Sequence, residues 1–219
     1  MTRIVGIIQT KGGAGRSTFA TNLAAHFSRQ ERTTLIDCDL PQGTSSSWYA
    51  LRQEKLPSNN LLLSKVHDHR ELIQKAKEHA AVSRYLIIDG PPRLAEMTRA
   101  IMILSNLCLI PIGASAAEIW STSDLLQTLA EARSYKPEVD ARLVWTRFRM
   151  QTREAQEVRS AVQRELKLDE LQARLGYRVA FSEALARGLS AEECFDRNAQ
   201  AEVLELAEEV KRILTEKKP

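Results

Sequence analysis

The stretch Gln9-Thr10-Lys11-Gly12-Gly13-Ala14-Gly15-Arg16-Ser17-Thr18 decides how this chain folds. An apolar run, Ile4–Ile8, precedes it, and a helical pattern over Ser17–Arg29 follows. A strand, a glycine-rich turn and a helix in this order form a cradle for phosphate, because glycine lets the backbone approach an anion and take positive φ angles. The amides of the turn and the positive end of the helix then face the anion. The stretch therefore predicts a phosphate-binding loop.

Two positions of this loop depart from the common motif G-x-x-x-x-G-K-[ST]. Thr10 replaces the first glycine and is followed by Lys11, and Arg16 stands where the phosphate-binding lysine is usual. Ser17 keeps the hydroxyl that ligates Mg²⁺ in such loops. Arginine retains the charge of lysine but is longer, planar and forked, and a misplacement of about 1 Å can cost on the order of a hundredfold in rate. We therefore expect nucleotide to bind while hydrolysis is slow or absent.

Three acidic residues follow apolar strands. Asp89 ends the run YLIID and precedes Gly90-Pro91-Pro92, where a carboxylate can hold Mg²⁺ through water while the metal bridges nucleotide phosphates. Asp37 and Asp39 end another strand, and strand alternation places them on the same side. One of them would join the Mg²⁺ shell and the other would orient the attacking water. The alternative is structural: Asp89 caps a turn, and of the other two one caps a helix while one lies in a solvated turn.

Apolar runs alternate with amphipathic stretches along the whole chain. Several runs are almost continuously apolar, which is typical of parallel strands covered on both faces. We predict an α/β fold over residues 1–219 as a single domain, a doubly wound, mostly parallel sheet with helices on both faces. The predicted strands are Ile4–Ile8, Thr33–Cys38, Leu61–Leu63 as a short edge strand, Tyr85–Asp89, Leu107–Ile112 and Ala141–Thr146. The predicted helices are Ser17–Arg29, Glu71–Ala81, Ala95–Ser105, Ser121–Ser134, Thr152–Leu166, Ala180–Ala186 and a last one through Val203–Leu214.

Composition narrows the class of protein. The chain has 219 residues, 43% of them hydrophobic and 27% charged, which is ordinary for a globular domain. No apolar run approaches the ~20 residues that span a membrane, and the 3 cysteines are widely spaced, as expected of reduced thiols in a cytoplasmic protein. The 4 histidines form no triad and no ligand spacing with the cysteines, which argues against zinc and nucleophilic chemistry.

Five motifs, in order, resemble the ParA/MinD family of P-loop ATPases, the deviant Walker group, and most of all its small ParA-type partition and positioning proteins. The resemblance runs over almost the whole chain. It rests on Lys11–Thr18 (K-G-G-x-G-K-[ST]-T), Asp37–Gln42 (D-x-D-P-Q with Leu40 inserted), Asp89–Pro92 (D-x-P-P), Leu109–Leu125 (L-I-P-V followed by I-W-A-t-a-D-L) and the tail Arg178–Ser190.

The resemblance implies a dimer that sandwiches two ATP molecules with Mg²⁺, in which Lys11 reaches the phosphates bound by the partner. It implies Lys11, Asp39 and Arg16 as catalytic groups. The metal site would comprise Ser17, Asp37 and Asp89. The nucleotide would contact Gly12, Gly13, Ala14, Gly15, Arg16, Ser17 and Thr18 through its phosphates, and Thr146, Arg147 and Phe148 through its adenine.

The family's function gives the expected role. An ATP-bound homodimer would bind double-stranded DNA nonspecifically and be released by a ParB-like or other stimulating adaptor, thereby positioning a plasmid, a chromosome region or a large protein cargo over the nucleoid. The net charge of +3 permits this without demanding it. The arginine-rich second half suits DNA, and Arg178, Arg187 and Arg197 are candidates that no motif singles out.

Three other readings remain open. The chain would be a nucleotide-binding switch or scaffold that hardly hydrolyses ATP, or a metabolic P-loop enzyme such as a synthetase acting on a small carboxylate, against which Lys11 and the tail argue. A membrane-binding version would need an amphipathic terminal helix. The last helix lacks bulky aromatic residues and its polar face is mixed in sign, so we expect it to pack on the domain and expect no membrane partner.

Overall fold

A computed structural model describes residues 1–40, 42–114, 116–147 and 153–216, without the side chains of residues 116–121, 123 and 153–155. The expected contact of Phe148 with the base lies outside the described residues. Within them, seven strands form one sheet in the order β3-β2-β4-β1-β5-β6-β7, and every neighbouring pair is parallel. The strands are β1 Arg3–Ile7, β2 Thr33–Asp37, β3 Leu61–Lys65, β4 Tyr85–Asp89, β5 Leu107–Ile112, β6 Ala141–Thr146 and β7 Glu170–Leu175.

Helices cover both faces of this sheet, and the predicted doubly wound α/β fold is confirmed. They are α1 Arg16–Ser28, α2 Thr44–Lys55, α3 His69–Ala80, α4 Ala95–Leu104, α5 Ala116–Tyr135, α6 Arg153–Leu166, α7 Val179–Ala186 and α8 Arg197–Glu216, with a short 3₁₀ turn at Ala191–Glu193. Alternate strand residues pack into two separate cores. Val5 and Ile7 of β1 pack with α1, α2, α7 and α8, whereas Ile88 and Ile110 of the neighbouring strands pack with α3 to α6.

Two elements were not predicted. The buried face of α2 consists of Ser45, Ser46, Trp48 and Arg52, and a face with one apolar member gives no helical periodicity in the sequence. In the edge strand β7, Leu171 and the following odd-numbered positions are buried. This alternation is visible in the sequence and is typical of a strand. The predicted edge strand at Leu61–Leu63 is confirmed and runs to Lys65.

The last helix packs on the domain, as its sequence suggests. The apolar stripe of α8, including Val203, Leu206 and Val210, is completely buried, and the helix lies against β7 and α1. Within the described residues no helix has both the length and the apolar character that crossing a bilayer requires.

Candidate nucleotide-binding site

The predicted phosphate loop leaves β1 at the centre of the sheet and ends where α1 begins at Arg16. Gly13 and Gly15 take positive φ angles of 72° and 92°, which turn the loop around an open concavity. Gly15 is the N-cap of α1, and no acidic side chain occupies the first turn of this helix. A side chain at Gly15 would also lie 3.3 Å from Thr146 Oγ1. The positive end of α1 is therefore open to an anion.

Two cavities adjoin this loop and share Gly13, Gly15, Thr18 and Leu185. The phosphate cavity, of about 440 Å³, lies over the loop amides, and the nucleoside cavity, of about 320 Å³, lies beside β6 and β7. Besides the shared residues, the phosphate cavity is lined by Gly12, Ala14, Arg16, Ser17, Asp39, Gln42, Thr44 and Pro92. The nucleoside cavity is lined by Thr146, Arg147, Leu175, Gly176, Tyr177, Arg178, Val179, Phe181 and Ser182. The two cavities therefore adjoin each other at the loop. A nucleoside polyphosphate could occupy both, with its phosphates in one cavity and its nucleoside in the other.

The side chain of Arg16 is folded beneath the loop. Its Nε donates to the carbonyl of Gly90 at 2.8 Å, and its Nη1 donates to the carbonyls of Gln9 and Lys11, both at 2.7 Å. Its Nη2 lies 3.7 Å from Asp39 Oδ2, and the side chain is 7% exposed. Burial lowers the pKa of Arg16, while Asp89 and Asp39 oppose this. Three of its five N–H groups therefore bind the backbone, and Nη2 is the part nearest Asp39.

Asp89 is completely enclosed at the end of β4. Its Oδ2 accepts a 2.7 Å hydrogen bond from Ser45 Oγ, and its Oδ1 has no hydrogen-bond partner among the described residues. Burial raises the pKa of Asp89 to about 6, and the nearby hydroxyls of Ser45 and Ser17 oppose that rise. A buried carboxylate oxygen without a partner is unfavourable unless something else binds it.

Asp37 and Asp39 have different surroundings. Asp37 pairs with Asp89 in register across β2 and β4. Its Oδ2 accepts from the Ser46 amide at 2.9 Å and from the Ser46 hydroxyl at 2.6 Å, and its Oδ1 accepts from the Asp39 amide at 3.0 Å. Asp37 thus holds the first turn of α2, where a carboxylate also complements the helix dipole. Asp39 follows the end of the strand and lines the phosphate cavity; burial raises its pKa, against the effect of Arg16.

These residues fit a magnesium ion that is held mainly by phosphates and water. Among the described residues, no three His, Cys, Asp or Glu side chains are placed to hold a metal by themselves, but Mg²⁺ in nucleotide sites needs only one or two protein groups. Ser17 lines the phosphate cavity, and its hydroxyl is close enough to Asp89 to lower the pKa of that carboxyl. The unpartnered Oδ1 of Asp89 is the acceptor that a metal-bound water would need.

The candidate DNA-binding arginines differ in exposure and in their partners. Arg178 lines the nucleoside cavity and pairs with Glu202, with Nη2 2.8 Å from Oε1. Arg187 and Arg197 are exposed on either side of residues 188–196, and Arg187 lies 4.0 Å from Glu183. Arg187 and Arg197 therefore differ from Arg178 in being turned to the surface.

Helix α2 joins this site to the tail of the domain. Its first turn binds Asp37 and Asp89, as described above. Near its other end, Arg52 makes two 2.8 Å hydrogen bonds to the carboxylate of Glu193 and one of 3.3 Å to the carbonyl of Gly188. The indole of Trp48 donates to the carbonyl of Leu189 at 2.9 Å. Ser45, Ser46 and Arg52 had no sequence signal, because single serines and a single arginine between polar neighbours match no motif.

A model of the CobQ/CobB/MinD/ParA nucleotide binding domain matches residues 5–191 of the chain. The chain belongs to this family. Membership agrees with the predicted ParA/MinD resemblance and identifies the loop between β1 and α1 as that of a P-loop ATPase family. The match covers the phosphate loop, both strand-end carboxylates and the nucleoside cavity.

Individual family members extend over most of the same length. The "Maintenance of carboxysome distribution protein A" of Halothiobacillus neapolitanus is 25% identical over 211 residues, 96% of this chain and 94% of that protein. The "Chromosome partitioning protein ParA" of Myxococcus xanthus is 30% identical over 164 residues, 58% of each chain. The structure of a variant of McdA from Cyanothece in complex with ATP superposes with a TM-score of 0.79 at 16% identity, over 96% of both chains. That similarity shows the fold.

Proposed function

We propose that this chain is an ATP-dependent, dimerising ATPase that binds double-stranded DNA nonspecifically and positions or segregates a plasmid, a chromosome region or a large protein cargo. The observation that carries the proposal is the pair of adjacent cavities that meet at Gly13 and Gly15. Their size and polarity suit a nucleoside polyphosphate, with phosphates over the helix end and the base beside Thr146 and Arg147.

Each site residue has a role in this proposal. The amides of Gly12 to Gly15 hold the phosphates, Ser17 ligates Mg²⁺, and Asp89 holds a water of the metal shell, with Asp37 fixing the neighbouring helix. When bound, Mg²⁺ neutralises charge that develops on the phosphates. Asp39 at the wall of the phosphate cavity orients the attacking water, and Lys11 contacts phosphates bound by a second copy.

The names of two relatives support the proposed kind of cargo. The Halothiobacillus neapolitanus protein is named for carboxysome distribution and the Myxococcus xanthus protein for chromosome partitioning. We propose a role of the same kind here, in the cytoplasm on the nucleoid, with an adaptor that stimulates release from DNA. Arg187 and Arg197 are the exposed arginines that would contact phosphate groups of DNA.

A second candidate function is a nucleotide-dependent switch with little hydrolysis. Arg16 favours it, because three of its N–H groups bind the carbonyls of Gln9, Lys11 and Gly90 rather than facing the phosphate cavity. Transition-state charge would then depend on Lys11 and the loop amides. In that case ATP would still drive dimerisation and DNA binding, and exchange of nucleotide would end the cycle.

The test combines two measurements on the full chain and on Arg16→Lys. DNA retention is measured on a nonspecific duplex with Mg²⁺ and ATP, ADP or no nucleotide, and phosphate release is measured with ATP and DNA. We expect retention with ATP alone among the three conditions, and faster phosphate release by Arg16→Lys than by the parent.

The outcomes separate the candidates. Retention with ATP accompanied by phosphate release by the parent chain supports the positioning ATPase, and retention without phosphate release by the parent supports the switch. Release by Arg16→Lys alone would attribute the lost hydrolysis to Arg16. A well-folded chain that binds neither ATP nor its analogues would contradict both. The variant Arg32→Lys, which changes an exposed arginine next to β2 at the opposite edge of the sheet, is the matched control.

A further inference from the structure

Arg93 combines a strained backbone with an exposed side chain. Its φ angle is 53°, a left-handed conformation that costs free energy in every residue with a Cβ except, in part, Asn and Asp. The side chain is exposed, and no hydrogen bond or ion pair joins it to another described residue. No contact of the Arg93 side chain within the described residues therefore offsets the cost of its backbone conformation, which glycine would not pay.

Arg93 lies in the loop between β4 and α4, at the carboxyl ends of the strands, where the phosphate loop also lies. Pro92, the residue before it, lines that cavity, and Pro91 and Pro92 fix the chain immediately after Asp89 and Gly90. Arg93 itself is absent from the residues that line the cavity. Its exposed side chain thus belongs to the face formed by the carboxyl ends of the strands and does not line the cavity of its own chain.

This face also carries exposed apolar groups. Leu94 is 51% exposed beside Arg93, and Tyr177 and Val179 at the nucleoside cavity are each 67% exposed. Once phosphates are bound, the face presents negative charge at the loop and positive charge at Arg93. A surface with both signs is self-complementary, which a two-fold contact between identical chains requires.

We infer that Arg93 binds an anionic group across the interface with a second copy of this chain, the phosphates of the nucleotide held by that copy or the carboxylates around them. The inference rests on the proposed ATP-dependent dimer and adds a residue to it. Arg93 is a docking residue whose contact strengthens when the partner's site holds nucleotide, because the bound phosphates add negative charge for the guanidinium to pair with.

The experiment measures dimerisation by sedimentation velocity with Mg²⁺ and a slowly hydrolysed ATP analogue. We compare the parent, Arg93→Ala, Arg93→Lys and Arg93→Gly, with Arg32→Ala as a control that removes the same charge at the opposite edge of the sheet. We expect Arg93→Ala and Arg93→Gly to raise the dimer dissociation constant about tenfold, Arg93→Lys to restore part of the affinity, and Arg32→Ala to change it less than twofold. Arg93→Gly should unfold at a higher temperature than Arg93→Ala, because glycine adopts a φ of 53° without strain.

Three results would overturn the inference. In the first, the parent dimerises with the analogue, and the dimer dissociation constants of Arg93→Gly and Arg93→Ala are within twofold of the parent's. This result would exclude a role for Arg93 and leave the proposed dimer intact. In the second, the variants bind a fluorescent nucleotide more weakly than Arg32→Ala at concentrations where every chain is a monomer, so that Arg93 acts on its own nucleotide. In the third, the parent stays monomeric with the analogue, which would contradict both the proposed dimer and the role of Arg93.

Discussion

Ser45 and Asp89 are joined by a hydrogen bond of 2.7 Å between Oγ and Oδ2. The next residue of the same helix, Ser46, binds Asp37 in the same way at 2.6 Å. Because Asp37 and Asp89 are neighbours across β2 and β4, consecutive serines of one helical turn hold two adjacent carboxylates. These hydrogen bonds therefore fix the first turn of α2 and the two carboxylates relative to each other.

Replacing Asp89 by asparagine should stabilise the chain above neutral pH. The folded chain raises the pKa of Asp89 from 3.8 to about 6, so between these values the folded state keeps a proton that the unfolded state has lost. The free energy of unfolding consequently falls as the pH rises from about 4 to about 6, and the penalty persists above. At 1.36 kcal/mol for each pKa unit, Asp89→Asn should gain about 2–3 kcal/mol at pH 8 and nothing at pH 4.

Thermal unfolding at the two pH values measures this difference. Asp124→Asn, at an exposed position of α5, serves as the control and should show no pH-dependent gain. Asp89→Asn should also lose Mg²⁺-dependent tightening of nucleotide binding. An equal effect on stability at pH 4 and pH 8 would show that the burial of Asp89 does not penalise its charge.

Replacing Arg16 by methionine should destabilise the chain strongly. The change leaves the carbonyls of Gln9, Lys11 and Gly90 without their donor and leaves Asp39 without its cation. Loss of one partner from a buried charged cluster costs about 3–5 kcal/mol, which chemical denaturation would measure. Arg32→Met is the exposed control and should change the free energy of unfolding by less than about 0.5 kcal/mol. A loss below about 1 kcal/mol for Arg16→Met would mean that the loop holds its shape without the guanidinium.

Arg52 and Glu193 should be energetically coupled. Their two hydrogen bonds of 2.8 Å are those of a bidentate pair, and Arg52 is 7% exposed. A double-mutant cycle with Arg52→Met and Glu193→Gln should give a coupling energy of about 1–3 kcal/mol. Lys75 and Glu78, an exposed pair on α3, should give about 0.3–0.5 kcal/mol in the same experiment. Additive effects of the two buried changes would separate α2 energetically from the tail.

Arg197 and Arg178 should respond differently in DNA binding. Arg197 is exposed, so Arg197→Ala should weaken binding similarly for all sequences and reduce the slope of affinity against salt by about 1 per chain. Arg178 pairs with Glu202 beside the nucleoside cavity, so Arg178→Ala should weaken nucleotide binding and leave the salt slope unchanged. Fluorescence anisotropy at several salt concentrations distinguishes the two, with Arg32→Ala as the control. An unchanged slope for Arg197→Ala would place the DNA contacts elsewhere.

Sequence patterns predicted the fold well where burial is apolar on both sides. The runs at Tyr85–Asp89 and Leu107–Ile112 coincide with β4 and β5, because a strand covered by helices on both faces must be apolar at every position. Helix α2 was not predicted, because its buried side chains are mostly serines and an arginine that form hydrogen bonds. It therefore lacks the apolar face by which an amphipathic helix is recognised. Its partners, Asp37, Asp89 and Glu193, are distant in the sequence.

The sequence suggested which residues would lie near the phosphate loop, but not how their side chains are arranged. The loop, Asp39 and Thr146 lie where the motifs suggested. The path of the Arg16 side chain depends on carbonyls of Gln9 and Gly90, which every residue type supplies equally and no motif can mark. Asp37 was expected beside Asp39, but β2 ends at Asp37 and the chain turns there, so that α2 takes the first carboxylate and the phosphate cavity takes the second.

The twelve residues of α2 form a rod about 18 Å long. Its first turn is hydrogen-bonded to Asp37 and Asp89 at the ends of two strands. Its other half is hydrogen-bonded to the segment between Gly188 and Glu193. A stiff rod fixed at both ends cannot tilt at one without moving the other. We therefore expect a displacement of Asp37 or Asp89 to be transmitted through α2 to the segment between Arg187 and Arg197.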